Sequence, residues 1–231
     1  MPVIFSDIFG SPNIGVYCFS DESLAIMPSG TPQKKIERFK QCLGVEVCTT
    51  NMGGSRLIGV LVAANSHGIV LPHIVQDHEI ETIEKTADRK ICVPKDERKT
   101  AFGNMILVND YGAIVDPRLS QATVRELSDT FDVEVVKGEI NGLPYVGALA
   151  VATNKGVLTH PKTKEDEKKA IEEALKVPAE LGTVNGGVPY IKSGLLANSR
   201  GAVAGSLTLG SELMAITQMI GAEKKSDRSI S

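Results

Sequence analysis

The sequence predicts an α/β (α+β) chain folded as a closed ring of five similar blades with pseudo-five-fold symmetry. Three observations predict it. A pattern of strand, polar turn, strand and amphipathic helix occurs five times. It recurs at a nearly constant step. The strand missing after the last helix is found at the beginning of the chain.

The hairpins come first. In the first unit the apolar run 15–19 passes through the turn 20–23 into 24–27 and Pro28. The counterparts are 60–64, 65–68 and 69–71 before Pro72, and 105–108, 109–112 and 113–116 before Pro117. The last two are 148–152, 153–156 and 157–160 before Pro161, and 195–197, 198–201 and 202–204 before Gly205. Aligned on the last turn residue, Ser23, Gly68, Gly112, Gly156 and Gly201 stand at steps of 45, 44, 44 and 45. Glycine in four of these places predicts a turn whose last residue takes positive φ, which glycine adopts freely. Ser23 is then the differently built turn.

A helix follows each hairpin. Thr31 as N-cap and Pro32 at the first helical position open the first one. Ile36, Phe39 and Leu43 fall on one face, as do Ile80 and Ile83, then Val124 and Leu127. Ile171, Ala174 and Leu175 mark the fourth stripe, and Leu213, Ile216 and Ile220 the fifth. Such a stripe must be buried on a sheet. It argues against an all-β propeller of similar repeat length.

Third strands are predicted at 45–48, 90–93, 133–136 and 182–184. After the fifth helix only the polar segment 222–231 remains, and it is predicted to be disordered. The missing strand is Val3–Phe5, followed by 10–15, where Pro12–Gly15 matches Pro144–Gly147. The opening residues therefore complete the last blade, and 1–221 form one ring. An open solenoid would instead need caps at both ends. Gly15, Gly59, Gly103, Gly147 and Gly194 recur where first strands begin, and they are expected near the ring axis.

Composition bounds the function. The 231 residues are 42% hydrophobic and 23% charged, ordinary for a globular chain. Aromatics make up 4% and tryptophan is absent, so small and aliphatic residues must fill the interior. The net charge of −3 disfavours a protein that wraps bare nucleic acid. No apolar run approaches the roughly 18–20 residues that cross a bilayer. A soluble, cytoplasmic protein is expected.

Several strings are specific. Gly103–Tyr111, Ala179–Gly186, Asn65–Pro72 and Val157–Thr163 resemble the translation initiation factor six family of archaea and eukaryotes. The resemblance runs from Val3 to about Gly221, and the short tail is similar to the archaeal form. It implies the pentein fold, or five-bladed β/α propeller, acting as a monomer. It implies binding to the intersubunit face of the large ribosomal subunit, against ribosomal proteins and near the sarcin–ricin loop of the large rRNA. Occupancy there would block the small subunit, with a further part in large-subunit biogenesis. No catalysis, cofactor, metal, membrane or small-molecule substrate is implied. Asn104 is the first expected contact, and its alternative role is to cap a strand. Gly103, Asp110, Tyr111, Arg56 and Gly59 are the other expected contacts. Tyr111 suits an interface anchor and equally a side chain packed over its hairpin.

The same ring also carries enzymes that modify guanidino groups with a cysteine nucleophile and a histidine. Here Cys18, Cys48 and Cys92 lie in strand-like runs and Cys42 in a helix, which reads as core packing. His67, His73, His78 and His160 are expected to be exposed, with no ligand cluster around His73 and His78. A generic protein-binding scaffold is the third class, because fold does not determine function.

Overall fold

The structure, a computed structural model, describes residues 2–95 and 98–221. Strand β1 (Val3–Ser6) precedes the first unit, which holds α1 (Ile14–Tyr17), β2 (Phe19–Ser20), β3 (Leu24–Met27), α2 (Gln33–Leu43) and β4 (Glu46–Thr49). The second holds α3 (Ile58–Leu61), β5 (Ala63–Ala64), β6 (Gly68–Val70), α4 (Asp77–Glu84) and β7 (Lys90–Cys92). The third holds α5 (Phe102–Met105), β8 (Ile106–Val108), β9 (Ala113–Val115), α6 (Gln121–Phe131) and β10 (Val135–Lys137). The fourth holds α7 (Val146–Leu149), β11 (Ala150–Ala152), β12 (Val157–Thr159), α8 (Glu165–Leu175) and β13 (Ala179–Leu181). The fifth holds α9 (Ile191–Gly194), β14 (Leu195–Ala197), β15 (Ala202–Gly205) and α10 (Gly210–Gly221).

The strands form five three-stranded sheets, each with an antiparallel hairpin and a parallel third strand. In the fifth sheet that third strand is β1, with Val3 opposite Ala202 and Phe5 opposite Ala204, as the sequence predicts. The short helices touch in a cycle: α1 meets α3, α3 meets α5, α5 meets α7, α7 meets α9, and α9 returns to α1. The core runs across unit boundaries. One cluster joins Leu24 and Ile26 of the first unit to Ile69 and Ile83 of the second. Each such buried side chain contributes about 1.5–3 kcal/mol.

Four expectations need correction. The first four predicted first strands begin inside a single helical turn, closed in α1 by the Cys18 N–H donating to the Ile14 carbonyl at 2.9 Å, whereas the fifth, 195–197, is strand throughout. A short apolar run has no periodicity to separate the two conformations. The third strands of the last two predicted positions lie at Val135–Lys137 and Ala179–Leu181, displaced by two or three residues. Pro32 is the N-cap of α2, and the Thr31 hydroxyl donates instead to the Pro28 carbonyl at 2.7 Å. The turn glycines also differ from the expected conformation.

Gly68, Gly112, Gly156 and Gly201 do not take positive φ. Each lies against a carbonyl near the end of the next unit's long helix. A Cβ on Gly68 would stand 2.2 Å from the Thr130 oxygen, and one on Gly112 would stand 1.9 Å from that of Ala174. Glycine is there for close backbone approach. The hydrogen bonds also move the first alignment by one residue. Asn65 N–H donates to the Gly68 carbonyl as Asp21 N–H does to that of Leu24, so Leu24 and not Ser23 is the counterpart. A side chain fits there because α4 has 8 residues where α2, α6 and α8 have 11. Leu24 packs into the space with Ile83.

Two glutamates tie helix starts to the loops before the short helices. Glu79 accepts from the N–H groups of Gly53, Gly54 and Gln76 at 2.6, 3.0 and 2.9 Å. Glu212 repeats this with Gly186, Gly187 and Leu209 at 3.0, 2.8 and 2.7 Å. Burial opposes ionisation of both, but these donors, joined at Glu212 by the Thr183 hydroxyl, hold each carboxyl below the ordinary glutamate value. The predicted tail 222–231 lies outside the described residues.

Candidate functional site

The innermost strands β2, β5, β8, β11 and β14 line an axial cavity of about 50 Å³. At one end stand the short helices. A Cβ on Gly59 would lie 1.9 Å from the Gly15 carbonyl oxygen, one on Gly103 2.1 Å from that of Gly59, and one on Gly147 2.4 Å from that of Gly103. Gly15 presses likewise on the Lys192 carbonyl. Four of the five recurring glycines therefore pack at these contacts between short helices. The fifth position belongs to Lys192, not to Gly194, which packs against Asn185. Counted from the end of the preceding turn, Lys192 stands four residues on, as Gly15, Gly59 and Gly147 do, and that turn holds one extra residue. The bridge Val184–Val188 spans one more residue than Ile8–Ser11, Met52–Ser55 and Ile140–Leu143.

The Lys192 side chain enters the cavity, and its Nζ donates to the Gly103 carbonyl at 2.7 Å. It thus joins the fifth unit to the third, which is not its neighbour. Burial pushes the amine down to about 7.

The residues directly before the short helices are Asn13, Leu57, Ala101, Tyr145 and Tyr190. Leu57, Tyr145 and Tyr190 are 41%, 44% and 49% exposed, as is Phe9 at 44%. The Arg56 guanidinium lies over the Phe9 ring at 4.8 Å, and that of Arg118 over Tyr145 at 4.7 Å. Arg118 is anchored by Asp116, whose fully buried carboxylate accepts from Nη2 at 2.6 Å. Burial works against the Asp116 charge, yet Arg118 holds its carboxyl below the ordinary value. Asn104 sits half-buried in α5 beside this rim, and its side-chain amide has no hydrogen-bond partner among the described residues. Gly59 and Gly103 are buried in the axial contacts.

The opposite mouth is formed by the hairpin turns. There asparagines lock three of the units to the next. The Asn65 amide donates to the carbonyls of Asn109 and Phe131 at 3.2 and 2.9 Å, and Asn109 repeats this with Thr153 and Leu175 at 3.1 and 2.9 Å. Asn198 does the same with Asp21 and Leu43. Asp110 belongs to this lock, accepting from Ser66 N–H and Oγ at 2.8 Å each and from the Asn154 amide at 2.6 Å. Glu22 reaches over the mouth to accept from Asn154 N–H and from Ser199 N–H and Oγ. Tyr111 is 41% exposed on this side.

The expected site residues therefore divide. Arg56, Gly59, Gly103 and Asn104 share the helix mouth, whereas Asp110 and Tyr111 lie beyond β8 at the turn mouth. Sequence reading missed Lys192, Tyr145, Tyr190 and Arg118. The pairs Pro144-Tyr145 and Pro189-Tyr190 carried the signal, since aligning them sets Lys192 opposite Gly147.

Burial raises the thiols of Cys18, Cys42, Cys48 and Cys92, the first of them far above the ordinary range. His160 is buried rather than exposed, and its Nδ1 accepts from the Lys162 N–H at 3.1 Å. The short turn to the helix after Pro161 folds its ring inward, where burial lowers its basicity. No group of three or more potential metal ligands occurs among the described residues. No described helix is long and apolar enough to cross a membrane.

Residues 4–219 match the eIF-6 family. Locally, the chain is 56% identical over 36 residues to translation initiation factor 6 of Cenarchaeum symbiosum, a stretch that is 16% of each chain. It is 38% identical over 55 residues to the protein of that name from Methanopyrus kandleri, which is 24% of this chain and 25% of the relative. It is 53% identical over 34 residues to that of Staphylothermus marinus, 15% of each chain. The aligned stretches thus span a quarter or less of each relative's length.

Proposed function

The chain belongs to the eIF-6 family, and from that membership we propose that it binds the large ribosomal subunit and keeps the small subunit from joining. The relatives' name, translation initiation factor 6, supports a part in the initiation of protein synthesis. We read the cycle of five units as a five-bladed β/α propeller, the pentein fold. Residues 1–221 form a single ring closed by β1, which works as a monomer in the cytoplasm. A part in large-subunit biogenesis belongs to the same reading.

One observation carries the docking site: the exposed rim of Leu57, Tyr145 and Tyr190 at the helix mouth, flanked by Arg56 and Arg118. Aromatic and arginine side chains around a partly desolvated centre are what interface anchors require. Asn104 lies within this rim and offers its unengaged amide to the partner. Leu57 and the tyrosines suit a ribosomal protein. The two guanidinium groups suit phosphates of adjacent rRNA, with the sarcin–ricin loop as the expected neighbour. Asp110 and Tyr111 fall outside this face, and the Asp110 carboxylate is already engaged between units.

The mechanism needs no bond chemistry. A subunit covered by the ring leaves the association equilibrium, and a hundredfold excess of factor over its Kd shifts that equilibrium by about 2.7 kcal/mol. The raised thiols and the largely apolar cavity lining support binding rather than covalent catalysis on guanidino groups. The test is light scattering of purified subunits at saturating factor, with co-sedimentation on each subunit. Loss of joining and pelleting with large subunits alone is the expected result. Unchanged joining overturns the reading.

A further inference from the structure

We propose that Lys192 is a positioning residue for the docking face: by holding the Gly103 carbonyl from across the ring, it sets α5 where Asn104 can meet the partner. The inference rests on the assignment of Asn104 to that face.

Four units place glycine at this point of the short helix, and each glycine packs on the backbone of the preceding unit. The fifth unit has a lysine there and one extra residue in the preceding turn. Ring closure alone does not call for an amine, since four junctions manage without one. Burying an amine also works against stability unless it is well paired, and the drop of its pKa to about 7 reflects that cost. A costly group kept where a cheaper residue serves four times over points to a task other than folding.

The acceptor indicates the task. Nζ meets the main chain of Gly103, the residue before Asn104, and does so from a unit that is not adjacent. The receiving helix is held by its neighbours α3 and α7 and by the Asp116 N–H, which donates to the Met105 carbonyl at 2.9 Å. It is 4 residues long, and a single turn does not sustain itself. In α1 and α3 the residue after the helix closes the turn, with Cys18 N–H on Ile14 and Val62 N–H on Ile58, each at 2.9 Å. Among the described residues, Ile106 makes no such bond to Phe102, and Ala150 and Leu195 likewise leave α7 and α9 unclosed. The bonds inside α5 are those of Asn104 and Met105 to the Ala101 carbonyl, at 2.9 and 3.2 Å. Of the unclosed helices, α5 receives the Lys192 amine on its backbone as an additional tie. It acts on the backbone, so it orients Asn104 without touching the partner.

The test combines hydrogen exchange with a double-mutant cycle. Lys192→Met keeps the length of the side chain and removes the donor. Lys192→Gly copies the other four units and serves if the first variant folds poorly. In the free protein the Asn104 and Met105 amides should exchange at least about tenfold faster, while those of Val60 and Leu61 in α3 keep their rates. Affinity for large subunits should fall about tenfold, and Asn104→Ala should add nothing on the Lys192→Met background. Unchanged exchange in α5, equal acceleration in α3 and α5, or additive losses of affinity would each overturn the proposal. Normal binding by Asn104→Ala alone would overturn the docking assignment instead. The exchange rates, which need no ribosome, tell that failure from failure of the Lys192 tie.

Discussion

The guanidinium of Arg89 donates to the carbonyl oxygen of Asn65 at 2.7 Å, and so stands where an asparagine amide stands in other turns. At the equivalent place of the first unit the chain has Asp21, which caps its own turn but has no N–H to offer the second unit. Arg89 pairs with Asp21 and also donates to Ser23, completing the junction. With the side chains only 5% and 9% exposed, this is a buried pair. Arg89→Ala should therefore lower the unfolding free energy by about 3–5 kcal/mol, since it strands the carboxylate. Asp21→Asn on that background should recover part of the loss by restoring the amide. Urea denaturation of the three proteins checks this, and no recovery would mean the two residues do not share one role.

Glu79 and Glu212 should make the protein acid-sensitive. Their carboxyls titrate below the ordinary glutamate value in the fold. Their contribution is thus complete above that value and disappears as pH falls through the lower, folded one. Glu79→Gln should cost about 1–3 kcal/mol at pH 7. The gap to the parent should close under acid conditions, and a gap independent of pH would contradict the account.

Lys192 carries the opposite sign. Its folded value of about 7 lies below the ordinary 10.5. Between these values the unfolded chain holds a proton that the folded one has released, so stability rises with pH. Lys192→Met should therefore be more stable than the parent near pH 6. That advantage should shrink by about 1.4 kcal/mol per pH unit once the pH passes the folded value. Stability curves at several pH values test it, and a constant difference would show that the amine is not desolvated.

Two glycines should respond unequally to a methyl group. Gly112→Ala places a Cβ 1.9 Å from the Ala174 carbonyl and should destabilise by roughly 2–4 kcal/mol. Gly210→Ala meets nothing within 4 Å at the start of α10 and should be neutral, or stabilise by up to about 1 kcal/mol. Thermal denaturation separates them.

The two mouths of the cavity should differ in binding. Tyr145→Ala and Tyr190→Ala should each weaken large-subunit affinity by about 1–2 kcal/mol. Tyr111→Ala, at the turn mouth, should leave it unchanged. Equal losses from all three would remove the distinction between the faces.

Much of this architecture was legible in the order of residues. The recurrent hairpins, the apolar stripes of α2, α6, α8 and α10, and the pairing of β1 with β15 follow from local periodicity and from counting strands. Such patterns are written along the chain, because an apolar face is a property of consecutive residues. The site was only half legible. Asn104 could be singled out as an odd residue in its repeat, but nothing in the string 103–111 reveals that β8 separates it from Asp110 and Tyr111. The turn glycines were recognised for the wrong reason. Their need comes from carbonyls of the next unit, some 60 residues further along or, for Gly201, back at Cys42. The place of Lys192 on the axis and the fit of Leu24 over a shortened α4 were likewise decided between units. Close approach of one backbone to another depends on how the units are packed, and no local pattern of side chains encodes it.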